Sequence, residues 1–168
     1  MDLFHFSEDG GIGEFVPRQH PVNVEPPYVW AVDDAHGANY LLPRDCPRIC
    51  IAASAETTDA DRERFFGHGA AERIIVVESG WLAAIRAATL YRYALPAAPF
   101  QLYDQSAGYY VSPEPVAPLA VTPIADLLAA LLAAGVELRL TPSLWPLQRA
   151  VAASSLEFSM IRMRNAAR

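Results

Sequence analysis

The chain is divided into short apolar runs of four to six residues, and this run length constrains its fold more than any other feature. Each run is rich in aromatic, aliphatic or β-branched residues and is followed closely by Gly, Pro, Asp or Ser, which is typical of β-strands. The sequence therefore predicts about seven short strands. They are residues 3–7 (LFHFS), 28–32 (YVWAV), 48–53 (RICIAA), 73–78 (RIIVVE), 90–95 (LYRYAL), 109–112 (YYVS) and 116–121 (VAPLAV).

Helical patterns separate these runs. Asp33 or Asp34 is predicted to cap a short helix through Tyr40, since Asp accepts hydrogen bonds from the free N–H groups of a first turn. Similar signals predict four or five helices, and the alternation indicates an α+β fold in a single domain spanning residues 1–168. The other helical segments are residues 57–67, 80–88, 124–134 and 144–154.

The charged residues exclude several classes of chemistry. All 13 basic residues are arginine, which excludes a lysine Schiff base and the lysine of a phosphate-binding P-loop. With a net charge of -6, we expect no nonspecific binding to nucleic acids, although a local arginine pocket could still hold a phosphate.

The sequence shows no pattern typical of a signal peptide, a membrane span or a metal site. The N-terminus has neither a basic segment nor an apolar core of a signal peptide, and the longest apolar run, residues 124–136, is too short to cross a bilayer. We therefore expect a cytoplasmic protein without a membrane partner. Cys46 and Cys50 are spaced poorly for zinc and have no second pair, so no metal is expected.

The first predicted strand carries a histidine between two phenylalanines, His5 in LFHFS. A strand with H-x-S, then GIxxFxPR, then YVWAV followed by DDAHxxxY resembles the start of small ADP-ribosyltransferase-like domains, which include rifampin ADP-ribosyltransferase and RNA 2'-phosphotransferase. In such domains a second strand leads into a helix under the nicotinamide pocket. The whole chain also resembles an uncharacterised bacterial domain family through the segments LFHFSED, PRDCPR, PSLWPL and SLEFSxIRxRNA.

The first resemblance implies a site for NAD or a related nucleotide. His5 would hold the ribose with support from Ser7, Tyr28 or Tyr40 would stack on the nicotinamide, and Arg18 would lie beside a ligand phosphate. An aromatic face matches a flat cationic ring, and imidazole can hydrogen-bond to ribose hydroxyls. The fold expected from it is ADP-ribosyltransferase-like.

The resemblance also implies an acidic residue at the start of a late strand. The matching segment, residues 108–112 (GYYVS), has no carboxylate. Glu114, a few residues further on, and Glu78, at the end of another strand, are the remaining candidates for stabilising an oxocarbenium-like transition state. The implied activity is transfer of ADP-ribose to an unknown acceptor.

Simpler interpretations stand beside these. His5 could be a core histidine bonded to a backbone carbonyl, and Tyr28 and Tyr40 could be packing residues. Arg44 and Arg48 bracket Asp45, which fits local salt bridges or, alternatively, a phosphate clamp.

Two other function classes therefore stay open. The missing carboxylate favours a noncatalytic module that binds a nucleotide or another small ligand. Residues 156–163 could form a strand or a helix end, and the polar residues from Glu157 to Asn165 suggest a pocket wall or a subunit contact. The apolar tail and the proline-rich segments favour a structural or partner-binding protein, such as a homodimer.

Overall fold

The computed structural model describes residues 2–19, 26–67 and 69–168, which form ten strands and five α-helices. The predicted α+β class is confirmed. The chain divides into two compact units: unit 1 comprises Met1–Leu41 and Thr89–Ala125, and unit 2 comprises Leu42–Ala88 and Asp126–Arg168. Six residues of the predicted loop at 18–27, residues 20–25, lie outside the described residues.

Unit 1 is a six-stranded antiparallel sheet with one short helix, α1 (Asp34–Gly37), which continues as a 3-10 helix at Ala38–Tyr40. The strand order is β6-β7-β2-β1-β5-β8, so β1 and β2 lie at its centre. The strands are β1 (Leu3–Ser7), β2 (Val29–Asp33), β5 (Leu90–Leu95), β6 (Gln101–Asp104), β7 (Tyr109–Ser112) and β8 (Ala120–Ile124).

The two faces of this sheet differ in what covers them. Alternation along β1 places Leu3, His5 and Ser7 on one face, which we call the His5 face. Segments outside the sheet cover that face: Phe15 packs on it, and Phe15 and Val116 exchange two backbone hydrogen bonds of 2.8 Å. The resulting apolar core consists of Leu3, Phe15, Val29, Ala31, Tyr93, Leu95, Phe100 and Val116.

Unit 2 is built on a four-stranded sheet in the order β10-β3-β4-β9, in which only the β4–β9 pair is parallel among the described strands. Ile49, Ile51, Ile74 and Val76 point to one face, where they form a core with helix residues. The strands are β3 (Arg48–Ala52), β4 (Arg73–Glu78), β9 (Val136–Thr141) and β10 (Glu157–Ile161), and the helices are α2 (Asp59–Phe66), α3 (Leu82–Ala87), α4 (Leu127–Ala133) and α5 (Trp145–Ala152).

The predicted helical segments 57–67 and 124–134 contain α2 and α4, and side chains satisfy free backbone groups at the start of each helix. Thr58 caps α2 by accepting a hydrogen bond from the Asp61 N–H, and Asp126 caps α4 by accepting one from Ala129. Gly135 follows α4 with φ +70°, the left-handed conformation that favours glycine at this position.

The strand predictions need correction at three places. Residues 101–104 form β6 and residues 136–141 form β9, both at a sheet edge, although neither is among the seven predicted strands. The predicted strand at 116–121 is wrong: Val116 makes only an isolated bridge, and β8 begins at Ala120. Pro118, which has no N–H group, separates these two segments, and Pro123 is tolerated in β8 because β8 is an edge strand.

The C-terminal segment of unit 2 contains a strand. The choice between a strand and a helix end for residues 156–163 is decided in favour of a strand, β10, which pairs with β3.

Within the described parts of the chain, no helix is long and apolar enough to cross a membrane.

Candidate functional site

His5 occupies a central position in the sheet of unit 1. It lies on β1 opposite Tyr93 of β5, and its Nδ1 is 3.0 Å from the carbonyl oxygen of Trp30 on β2. Since a carbonyl oxygen can only accept, Nδ1 of His5 is the donor in this hydrogen bond. The imidazole is half-buried, and its centroid is 4.7 Å from that of the Phe15 ring. The hydrogen bond to the Trp30 backbone and the contact with Phe15 together orient the imidazole.

Ser7 lies two residues further along the same face and holds the turn that follows β1. Its hydroxyl accepts a hydrogen bond from the Asp9 N–H at 3.1 Å, and the Asp9 carboxylate accepts one from the Gly11 N–H at 2.8 Å. Gly10 packs so closely on Tyr91 that a Cβ at position 10 would lie 2.5 Å from the Tyr91 ring.

The sequence interpretation missed Tyr91 as a site residue. The β1–β5 register pairs Ser7 with Tyr91 and His5 with Tyr93, and directly paired residues point to the same face of a sheet. Tyr91 is half-buried, so His5, Ser7 and Tyr91 together form a polar and aromatic end of the His5 face. The alternation in LYRYAL was the available signal, but the strand partner was unknown.

Tyr28 and Tyr40 lie apart from His5. Tyr28 and Trp30 alternate with Val29 and Ala31, which belong to the core on the His5 face, so their rings are on the opposite face. Tyr40 stacks on Phe6 of that opposite face, and its hydroxyl donates to the hydroxyl of Tyr109.

Trp30 is the centre of an aromatic cluster on that opposite face. Its ring centroid is 4.9 Å from that of Tyr103, 5.8 Å from Tyr109 and 6.4 Å from Tyr28, each with a T-shaped geometry. Such packing stabilises a sheet and leaves the 40% exposed Tyr103 at its rim. We call Tyr28, Trp30, Tyr40, Tyr103 and Tyr109 the aromatic cluster.

Arg18 is next to Tyr28 through the backbone. The two residues exchange hydrogen bonds of 3.1 and 3.2 Å in an isolated antiparallel bridge, and Arg18 is exposed. Of the predicted site residues, Arg18 therefore lies beside Tyr28, and His5 lies on the other face of the sheet.

The two candidate acids occupy different units. Glu114 is exposed in the turn after β7, where its N–H donates to the Ser112 hydroxyl at 3.1 Å. Glu78 ends β4 in unit 2 and is buried, and its carboxylate accepts hydrogen bonds from the backbone N–H groups of Ala167 and Leu144. Glu78 therefore has a structural role as an acceptor for the C-terminal segment.

Comparison with known families covers nearly the whole chain. A family model described as a family of unknown function, DUF6886, matches residues 4–166. The chain belongs to DUF6886. The prediction of an uncharacterised domain family is confirmed, and no curated protein and no solved structure matches this chain.

This member of DUF6886 contains a second polar arrangement in unit 1 that the sequence interpretation used only as a helix cap. Asp33, at the end of β2, caps α1 as predicted by accepting a hydrogen bond from the His36 N–H at 2.9 Å. The same carboxylate oxygen is 2.7 Å from Nδ1 of His36. The signal was present in the segment DDAH, where Asp and His are spaced by one helical turn.

The hairpin between β6 and β7 carries another carboxylate near this pair. The hydroxyl of Ser106 and the N–H groups of Ala107 and Ser106 donate to Asp104 and lower its pKa below the usual range, and His36 lowers this pKa further. Asp104 thus stays ionised at the rim of unit 1 at neutral pH.

The cysteines and the buried arginine of unit 2 are structural. Burial raises the pKa of Cys46 to about 11 and that of Cys50 to about 12, so neither thiol is a nucleophile at neutral pH. Arg48 donates to the carbonyl oxygens of Pro43 and Cys46 at 3.0 and 3.1 Å. Among the described residues, no group of three or more His, Cys, Asp or Glu side chains could hold a metal ion.

Proposed function

We propose that unit 1 binds NAD or a related nucleotide and transfers ADP-ribose to an acceptor, as in ADP-ribosyltransferase-like domains. One observation carries this proposal: the strand with His5 and Ser7 pairs with β2, and β2 leads without an intervening residue into α1. This is the order of elements that the sequence resemblance implies around the nicotinamide pocket.

The His5 face is the better of the two sheet faces for the ribose. His5 presents an imidazole oriented by the Trp30 carbonyl, and Ser7 and Tyr91 add two hydroxyl groups on the same face. Ribose hydroxyls can exchange hydrogen bonds with such groups, and Tyr91 is the aromatic residue beside Ser7 on this face, with Gly10 packed against its ring. In this proposal Tyr91, and not Tyr28 or Tyr40, is the tyrosine that contacts the ligand.

The chemistry would be cleavage of the bond between nicotinamide and ribose with electrostatic stabilisation of the positive charge that develops on the sugar. Glu114 is the carboxylate of unit 1 proposed for this role, because Glu78 accepts backbone hydrogen bonds in unit 2. Glu114 is exposed and follows β7 instead of lying at its start.

That placement favours a second candidate function, a noncatalytic module that binds the same nucleotide. β7 and the glycine before it contain no carboxylate, so this strand lacks the acidic residue that the resemblance to transferases implies. Binding would need only the His5 face, whereas catalysis would also need Glu114.

Ligand-induced thermal stabilisation tests the proposal directly. NAD, ADP-ribose and nicotinamide are titrated against the wild type, His5→Gln, Tyr103→Ala and the control Leu119→Ser, whose side chain is 71% exposed in unit 1. A ligand at about 100 times its Kd stabilises the folded state by about 2.7 kcal/mol. We expect this shift to vanish in His5→Gln alone.

The other outcomes have different meanings. Loss of the shift in Tyr103→Ala would move the ligand to the aromatic cluster, and no shift with any ligand would refute nucleotide binding. Release of nicotinamide from NAD then separates the two candidates: an enzyme releases it and Glu114→Gln slows that release, whereas a binding module shows stabilisation without turnover.

A further inference from the structure

Part of the aromatic cluster of unit 1 forms a corner of nearly perpendicular rings beside a carboxylate. We infer that Trp30, Tyr103 and Tyr109, together with Asp104, bind a small organic cation of the quaternary ammonium class. The inference does not depend on the proposed function, because these side chains lie on the sheet face opposite His5.

The geometry of the rings suits a compact cation. Tyr103 and Tyr109 are inclined to the Trp30 indole by 70° and 88°, and their ring centroids are 4.9 and 5.8 Å from its centroid. Nearly perpendicular rings present their faces around a corner, so a compact ligand there lies over more than one face, within the reach of about 6 Å of a cation–π interaction. A flat base, in contrast, stacks on one face at a time.

A β-bulge in the edge strand β6 brings an aromatic ring and a carboxylate to the same face. The register shifts between Leu102 and Asp104, and Asp104 pairs with Tyr109 of β7, so Tyr103 is the extra residue of the bulge. The Tyr103 ring contacts Trp30, and Asp104 shares the face of Tyr109 because directly paired residues point to the same side of a sheet. Bulges at sheet edges often redirect a side chain toward a site.

Neighbouring groups hold the corner in place without a ligand. Oδ1 of Asp104 accepts hydrogen bonds from the Ser106 hydroxyl at 2.7 Å and from the N–H groups of Ser106 and Ala107 at 2.9 and 3.2 Å. The hydroxyl of Tyr40 donates to that of Tyr109 and fixes the second ring. Groups that are ordered before binding lose little conformational entropy when a ligand arrives.

Charge selects the class of ligand. The ionised carboxylate of Asp104 attracts a cation and repels the phosphates of a nucleic acid or nucleotide, and the whole chain has a net charge of -6. Two arginines on this face lie beside other rings: Arg18 is bridged to Tyr28, and Arg92 lies 4.9 Å over the ring of Phe4. A quaternary ammonium group has no N–H to satisfy, so it can exchange water for aromatic faces while its charge stays near a carboxylate.

The first test compares three ligands on the wild type. Choline carries a quaternary ammonium group, ethanolamine has the charge without the methyl groups, and the alcohol with a tert-butyl group in place of trimethylammonium has the shape without the charge. NMR signals of the indole N–H groups report on each of the 3 tryptophans, and the signal lost in Trp30→Phe identifies Trp30. We expect choline to shift this signal to saturation and to bind about 5-fold or more tightly than the other two ligands. The signals of Trp81 and Trp145, which belong to unit 2, should not change.

The second test locates the site with matched variants. Tyr103→Leu replaces the ring at an exposed position with another apolar side chain, and Asp104→Asn removes the charge but keeps an oxygen that can accept from Ser106. Leu102→Ala and Glu14→Gln are the controls: Leu102 is 52% exposed in the same strand, and Glu14 is exposed in the segment before β2 that covers the His5 face. We expect the Kd for choline to rise about 2- to 10-fold in each of the first two variants and to stay unchanged in the controls.

The inference is overturned if choline leaves the Trp30 signal unchanged, or if the neutral alcohol or ethanolamine binds as tightly as choline. It also fails if the Kd is unchanged in Tyr103→Leu or Asp104→Asn, or if the controls weaken binding equally. Tighter binding of adenosine monophosphate than of choline at Trp30 would show a platform for stacking bases instead. The comparison of ligands needs only the wild type, so it decides the question even when a variant does not fold.

Discussion

The hydroxyl of Tyr93 donates a hydrogen bond to the carbonyl oxygen of Asp9 at 2.8 Å, across 84 positions of the chain. The same hydroxyl accepts a hydrogen bond from the N–H of Ile12 at 3.1 Å. One phenol therefore ties the segment after β1 to β5 and helps to cover the His5 face. The ring of Tyr93 is 1% exposed, so water cannot replace these bonds without a rearrangement.

Tyr93→Phe removes both hydrogen bonds without removing the ring. We expect a loss of about 1–2 kcal/mol in the free energy of unfolding, measured by urea denaturation, because two backbone groups lose their partner. Tyr110→Phe is the matched control: its ring packs against the same core, and its hydroxyl has no hydrogen bond within the described residues. Equal losses in the two variants would contradict the assigned role of the Tyr93 hydroxyl.

Glycine substitutions separate backbone strain from collision. Gly108→Ala should cost about 2–4 kcal/mol, since the new Cβ meets His36 and Asp33 at a positive φ. Gly135 has φ +70° and open space around the position of a Cβ, so in Gly135→Ala backbone strain alone should cost about 1 kcal/mol. Gly13 has open space around the position of a Cβ and no positive φ, so Gly13→Ala should leave the free energy of unfolding nearly unchanged. Thermal or urea unfolding gives this order, and a neutral Gly108→Ala would contradict it.

The two thiols of unit 2 should be unreactive in the folded protein. Burial raises the pKa of Cys46 to about 11 and that of Cys50 to about 12, above the value of about 8.5 for a free thiol. Labelling with a disulfide reagent at pH 8 should therefore proceed only as fast as the protein opens, and urea should accelerate it. Rapid labelling without urea would contradict the burial of these residues.

The raised thiol pKa values also predict the direction of a pH effect. The unfolded state loses its thiol protons first, so the stabilising contribution is complete below about pH 8.5 and is lost as the pH rises toward 11 and 12. Urea denaturation of the wild type and of Cys46→Ala with Cys50→Ala should show a steeper decline in the wild type. Parallel curves would contradict this prediction.

Acid should weaken the link between α2 and the segment before β10. The backbone N–H and the hydroxyl of Ser155 donate to Asp61, both at 2.7 Å, and lower its pKa below the usual range. A lowered folded-state pKa stabilises the protein above the unfolded value of about 3.9, and this contribution is lost as the pH falls further.

Asp61→Asn should therefore reduce the dependence of the urea midpoint on pH between pH 7 and pH 2. Glu56→Gln, which removes an exposed carboxylate from the loop before α2, is the control. The assignment would be refuted if Asp61→Asn showed the same pH dependence as the wild type and Glu56→Gln.

The sequence by itself determined the local structure. Thr58, Asp126 and Gly135 act within one turn of a helix, so their capping roles depend only on near neighbours. The α+β class follows from the lengths of apolar runs, which are also local. β6 and β8 were mistaken because both are exposed edge strands whose residues lack a buried face.

Only the tertiary structure decided which side chains share a surface. Alternation assigns residues to faces within one strand, but the relation between two strands depends on their register, and a slip of one residue reverses it. The pairing of Phe4 with Val32 places His5 on the face opposite Tyr28, and the pairing of Ser7 with Tyr91 brings a different tyrosine to the His5 face. Backbone hydrogen bonds between distant segments set these registers, and no local pattern in the chain encodes them.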